Sequence, residues 1–176
     1  MRIKKVTLSK NSILSNTSYN YEDSYQGNFT DKNNCIQVLD ATKAFFSTSP
    51  KWINSLLSLR NKIVAVFGLK TVEMAKSEKE ILANFKGNPE DKLGLFKVYE
   101  KTDSEIILGE DDKHLNFRVS FMLDAIKNNE KKLTISTTVL YNNWFGKLYF
   151  YPVKPFHKII VKTILKSMIT EIKKQV

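Results

Sequence analysis

Two histidines and one cysteine leave few members for the usual nucleophilic and acid–base constellations. His157 follows Pro155, a residue that fits the first turn of a helix, and the positive end of that helix disfavours an imidazolium. A neutral ring there can act as a base. The same residue also reads as a packed, hydrogen-bonded side chain that fixes how the chain enters the helix. Tyr149 is the phenol that would supply a proton beside it. Glu110, Asp111, Asp112 and His114 bring oxygen and imidazole ligand types together in sequence. Adjacent residues at a strand end point to opposite faces, so the four read as a polar turn and no metal site is expected. No cofactor is expected either, because the six glycines never take the Gly-x-Gly-x-x-Gly spacing of a dinucleotide-binding loop.

Aromatic residues gather around Pro152 and Pro155: Trp144, Phe145, Tyr149, Phe150, Tyr151 and Phe156. Trp144 and Tyr149 pair an apolar body with a hydrogen-bond donor and are the candidates for ligand contact. Phe150 and Phe156 read as core.

These side chains must be positioned by strands and helices that the hydrophobic pattern marks. Alternation runs from Tyr19 to Thr30, from Leu115 to Asp124 and from Leu133 to Tyr141, which predicts strands with one apolar face. Half-wet strands belong to antiparallel sheets. Turns at Asp103-Ser104, Glu110 to Lys113 and Lys127 to Lys131 join four consecutive strands across Leu95 to Tyr141. A short helix is predicted from Cys35 to Phe46. A second runs from a cap at Ser49 through Pro50 to Gly68. Thr71 to Asp91 reads as a short helix and a loop. The terminal helix is predicted to start at Pro155 and to present Phe156, Ile160, Ile164, Met168 and Ile172, with Lys158, Lys162 and Lys166 on another stripe. The expected class is α+β, helices packed on one face of an antiparallel sheet. One domain is expected over residues 1–176, with 1–18 an irregular amino-terminal extension.

The net charge is +10, yet arginine appears only at Arg2, Arg60 and Arg118 among 28 basic residues. Phosphate and base readers exploit the arginine fork, so no nucleic-acid partner is expected. Cys35 has no intrachain partner, no apolar run reaches a membrane span, and no secretory signal is visible. A cytoplasmic location is the expectation. The apolar stripe of the terminal helix can pack on the sheet or enter lipid, but not both. Docking is expected, leaving at most a salt-sensitive contact between its lysines and anionic head groups.

The order strand, two helices, antiparallel meander and terminal helix resembles the START-like (SRPBCC, helix-grip) superfamily. Gly109-Glu110-Asp111-Asp112-Lys113-His114-Leu115-Asn116-Phe117-Arg118, then Trp144-Phe145-Gly146-Lys147-Leu148-Tyr149 and Pro155-Phe156-His157, resemble a bacterial domain-of-unknown-function family within it, although Lys147 stands where arginine is commoner. The resemblance implies a curved sheet gripping the terminal helix around a cavity for apolar small molecules or lipid-like ligands. Inward-facing strand positions and the aromatics near the prolines then put Phe117, Phe121, Tyr141, Trp144 and Tyr149 around that cavity. The resemblance also implies one alternative, a cyclase- or dehydratase-like enzyme, and the lysine-edged terminal helix offers a second, a peripheral membrane protein. A dinucleotide-binding partner protein follows from relatives in which such a unit is fused.

Overall fold

Residues of alternating polarity fold here into one antiparallel sheet with a helix across it. The computed structural model describes residues 1–48, 82–93 and 95–175. In chain order these form β1 (Lys4–Val6), a 3-10 turn (Ile13–Asn16), β2 (Tyr21–Thr30), α1 (Val38–Ser47), β3 (Lys92–Leu93), β4 (Phe96–Lys101), β5 (Glu105–Asp111), β6 (Leu115–Ala125), β7 (Glu130–Tyr141) and α2 (Trp144–Ile172). The strands lie in the order β1-β2-β7-β6-β5-β4-β3, and each neighbouring pair is antiparallel. The predicted meander is therefore β4 to β7, and the early strand β2 closes onto the meander's last strand. The helix predicted from Ser49 to Gly68 and most of the Thr71 to Asp91 stretch lie outside the described residues.

Local chemistry sets the turns. At the tip of the β6–β7 hairpin Asn128 and Asn129 have φ of 58° and 60°, and Glu130 N–H donates to the Lys127 carbonyl at 3.2 Å. Two successive left-handed residues make the turn whose twist matches that of the strands, and asparagine tolerates that conformation better than most side chains. Before α1, the Asp40 carboxylate accepts the Gln37 N–H at 2.8 Å and so holds the first turn.

Register fixes which residues share the face beneath α2. One transverse row holds Tyr21, Val139 and Phe117, the next Asp23, Thr137 and Val119, and the third Tyr25, Ile135 and Phe121. Against these rows α2 buries Val161, Ile164, Leu165, Met168, Ile169 and Ile172. Gly27 admits the helix closely: a Cβ there would lie 2.6 Å from Ile169 Cδ1. α1 packs between α2 and β6, and Phe45 brings its ring to within 4.9 Å of Phe121.

The opposite face carries a cover that the sequence reading did not foresee. Residues 1–18 were expected to be irregular, whereas Lys4–Val6 pairs with β2 as an edge strand. Ser12 Oγ donates to Glu105 at 2.5 Å, and Ile13 N–H donates to the same carboxylate at 2.8 Å. Ser120 Oγ donates to it as well, and Leu14 is buried beside this polar seam. The buried carboxylate that opens β5, Glu105, thus recruits the amino-terminal segment as its donor set.

The terminal helix also differs from expectation. It starts at Trp144, where Asn143 Oδ1 accepts the Gly146 N–H at 3.1 Å, and it runs through Pro152 and Pro155. The carbonyls that lose partners to those prolines belong to Leu148 and Tyr151, residues that are 60% and 74% exposed. Phe156 was expected in the core and is 57% exposed. A four-residue step overruns each helical turn by about 40°, so Phe156 has rotated roughly 160° from Ile172. The stripe read from the sequence winds off the buried face, which three- and four-residue steps together follow.

A buried ion pair anchors the exit of β2. Asp31 lies 2.8 Å from Lys131 Nζ, and its carboxylate also accepts the N–H groups of Ile36 and Cys35. Burial alone would raise its pKa, but the Lys131 and backbone hydrogen bonds outweigh burial and hold it below the ordinary value.

Two expectations follow from these placements. Phe121→Ala should destabilise the fold by about 3–5 kcal/mol in chemical denaturation, whereas Phe156→Ala should change it by less than about 0.5 kcal/mol. Equal losses would place α2 in a different rotation. Because the folded pKa of Asp31 is lowered, its contribution is complete above the ordinary carboxylate range and is lost as pH falls through the depressed value. Asp31→Asn should therefore cost about 3–5 kcal/mol at neutral pH, leaving Lys131 buried without its partner. It should also flatten the acid limb of the stability–pH curve, and an unchanged limb would assign acid sensitivity elsewhere.

Candidate functional site

The middle transverse row breaks the apolar face. Asp23 and Thr137 are direct partners across β2 and β7, both are buried, and both lie between rows of aromatic and aliphatic side chains. His157 comes down from α2 above them, its Nε2 3.4 Å from Asp23 Oδ1. That approach is not aligned as a hydrogen bond, so Asp23 Oδ1, His157 Nε2 and Thr137 Oγ1 are buried atoms that find no hydrogen-bond partner among the described residues. Tyr21 completes the cluster by donating its phenol to Asp23 Oδ2 at 2.5 Å. Burial first, then that hydrogen bond and the Asp23 charge, push the Tyr21 pKa far above its ordinary value, so the phenol stays a donor.

Apolar rings wall this cluster on one side. Phe150 stacks edge-on to Tyr21 at 5.0 Å and lies 6.4 Å from the His157 ring. Tyr141 sits 6.0 Å from Phe150. Lys154 places its ammonium 5.2 Å over the Tyr21 ring, and Lys162 lies 5.4 Å over Tyr25. The arrangement offers an acceptor, an imidazole and a hydroxyl at one place on a surface otherwise suited to hydrocarbon.

The residues expected from the sequence divide among four places. Phe121 and Phe117 lie at the α1 end in an aromatic cluster with Phe45, Phe46 and Phe96. Tyr141 joins Phe150 near His157. Trp144 lies outside: it is 75% exposed and lines an open groove of about 420 Å³ with Lys113, His114, Asn143 and Phe145. Tyr149 is half-buried on α2, about 12 Å along the axis from His157 by helical rise. His157 is itself several turns inside α2, so the helix-end argument for a neutral ring does not apply to it.

Sequence reasoning missed Asp23, Tyr21 and Thr137 as a group. Asp23 was visible as a carboxylate on the apolar parity of β2, and Thr137 as a hydroxyl on that of β7. Only the register puts them side by side.

The polar turn and its neighbours form a clasp. Arg118 pairs with Asp111 at 2.8 Å and stacks 3.5 Å over the Tyr99 ring. A Cβ on Gly109 would meet the Phe117 carbonyl at 2.2 Å, and one on Gly146 would meet the His114 carbonyl at 2.0 Å. His114 Nδ1 faces the Asn143 side-chain amide. His114, Asn143 and Gly146 thus lock the β5–β6 hairpin onto the first turn of α2, which carries His157 further along, while Gly109 and Arg118 tighten the sheet behind it.

Comparison with known proteins follows the same residues. No curated protein gives a significant match. Three solved structures are similar in outline at low identity. A hypothetical protein from Helicobacter pylori is 10% identical, with 84% of this chain and 85% of that one covered and a TM-score of 0.48. A conserved protein from Geobacillus kaustophilus is 10% identical, with 88% and 96% covered and a TM-score of 0.41. Ara h 8.0201 is 11% identical, with 85% and 99% covered and a TM-score of 0.37. The sequence itself matches a family over residues 16–164, from the turn before β2 to the buried face of α2. By that match the chain belongs to the family described as protein of unknown function, DUF2867.

Proposed function

We propose that this protein binds an amphipathic small molecule, its hydrocarbon body against the concave face of the sheet and its polar head at Asp23, Thr137 and His157. The observation that carries this reading is the open hydrogen-bonding capacity of three buried atoms on one otherwise apolar face. Leaving a buried donor or acceptor unmatched costs about 1–3 kcal/mol, a cost that a suitable head group recovers. Phe117, Phe121 and Tyr141 are the aromatic contacts for the body, and Tyr149 joins them from α2. Trp144 takes no part in this interior reading, since it faces solvent.

Acid–base chemistry is the second reading, favoured by the approach of His157 to Asp23. In that case His157 is the base, Asp23 orients it, and Tyr21 is better placed than Tyr149 to complete the set.

The test is extraction of natively purified protein with organic solvent and mass spectrometry of what is released, together with displacement of a fluorescent fatty acid. A reproducible compound with a polar head and an apolar body is expected. Thr137→Val should weaken fatty-acid binding about tenfold while leaving stability unchanged or raising it by up to about 1 kcal/mol, because an apolar isostere removes an unmatched hydroxyl. Protein that is repeatedly empty and takes up no fatty acid would overturn the reading. So would a destabilised Thr137→Val variant with unaltered binding, which would make the hydroxyl structural.

A further inference from the structure

The face of α2 turned away from the sheet is as unusual as the buried one. Trp144, Leu148, Tyr151, Phe156 and Ile159 are 75%, 60%, 74%, 57% and 60% exposed. At 3.6 residues per turn they share an arc of about 140° and extend along roughly 22 Å of helix. Surface apolar residues scattered singly need no explanation, but a contiguous stripe of large ones marks an interaction site. Lys147 and Lys158 are exposed along one edge of this stripe, and Lys162 and Lys166 continue its line toward the carboxyl end. From Trp144 to Thr170 the helix carries no carboxylate; Glu171 is its first.

We infer that this outer face of α2 docks, with the helix still packed on the sheet, on an anionic lipid surface. Charge selects that occupant. A second copy presenting the same stripe would bring two rows of lysines together, and a neutral bilayer would leave them unmatched. Anionic head groups complement the lysines while the apolar side chains enter the acyl boundary, the arrangement of an interfacial helix. Trp144 and Tyr151 suit the head-group level, where an apolar ring and a polar tip are both satisfied. Of the residues the sequence offered for lipid contact, Phe156 belongs to this stripe, whereas Ile164 and Met168 are buried against the sheet. Docking thus requires no undocking of α2. It also leaves the Asp23, Thr137 and His157 cluster untouched, so it stands or falls independently of ligand binding.

The experiment is co-flotation of the full chain with phosphatidylcholine vesicles and with vesicles containing about 30% phosphatidylglycerol, at about 0.05 and 0.5 M salt. Binding to the anionic vesicles at low salt, weakened at least tenfold at high salt and absent with neutral vesicles, is expected. Each lysine near an anionic surface is worth about fivefold, so Lys158→Glu, Lys162→Glu and Lys166→Glu together should weaken binding at least a hundredfold. Trp144→Ser, Leu148→Ser and Ile159→Ser together should weaken it at least tenfold with an unchanged denaturation midpoint. Tryptophan fluorescence should shift to the blue on adding anionic vesicles, and the shift should disappear in Trp144→Phe. No binding to anionic vesicles at low salt would overturn the inference, as would binding indifferent to the serine variant. A dimer in sedimentation that the serine variant dissociates, with no vesicle binding, would assign the stripe to a second copy instead.

Discussion

The seating of α2 on the concave face of the sheet is the constraint on which the rest of the structure depends. Six of its apolar side chains, Val161 to Ile172, are buried there, each worth roughly 1.5–3 kcal/mol when removed from water. Gly27 lets the backbone of β2 approach the helix, and α1 fills the remaining angle between helix and sheet. Once this half of the helix is fixed, its other half is fixed as well. His157 must then stand over Asp23, and Trp144 must face away.

The two halves of α2 serve different ends because the prolines divide them without breaking them. In the carboxyl half almost every three- and four-residue step meets a core side chain. In the amino half only Gly146 and Phe150 are buried, and Pro152 and Pro155 lie among exposed residues. The hairpin clasp at Gly146 and His114 secures that weakly buried half from its far end. A helix held at both ends can carry an apolar stripe into solvent without losing its place on the sheet.

Polar groups mark both faces of the sheet, with opposite outcomes. Glu105 on the outer face is fully supplied with donors by Ser12, Ile13 and Ser120, and this seam binds the amino-terminal segment down. Asp23 on the inner face has one strong donor, Tyr21, and keeps its second oxygen near His157 without a hydrogen bond. A satisfied buried carboxylate is architecture. One that is half-satisfied, beside an imidazole and a hydroxyl in the same condition, is what the proposed head group would complete.

By itself the sequence determined the strands of the meander, the turns between them, the α+β class and which parity of β6 and β7 meets the helix, because these depend on side-chain period and local turn chemistry; the other parity, read as wet, is buried as well at Ser120, Met122, Thr134, Ser136 and Thr138. It also carried Asp23 as an interruption of an apolar stripe, though nothing local said what faced it. Tertiary structure alone decided that β2 returns to pair with β7, which sets Asp23 against Thr137 at a separation of more than a hundred residues. It decided too that the chain before β2 covers the outer face, because Glu105 draws donors that no local pattern could assign. The rotation of α2 was likewise beyond the sequence. A four-residue repeat is compatible with a range of faces, and the sheet, by burying Ile164 and Met168, selected the one that leaves Phe156 in solvent.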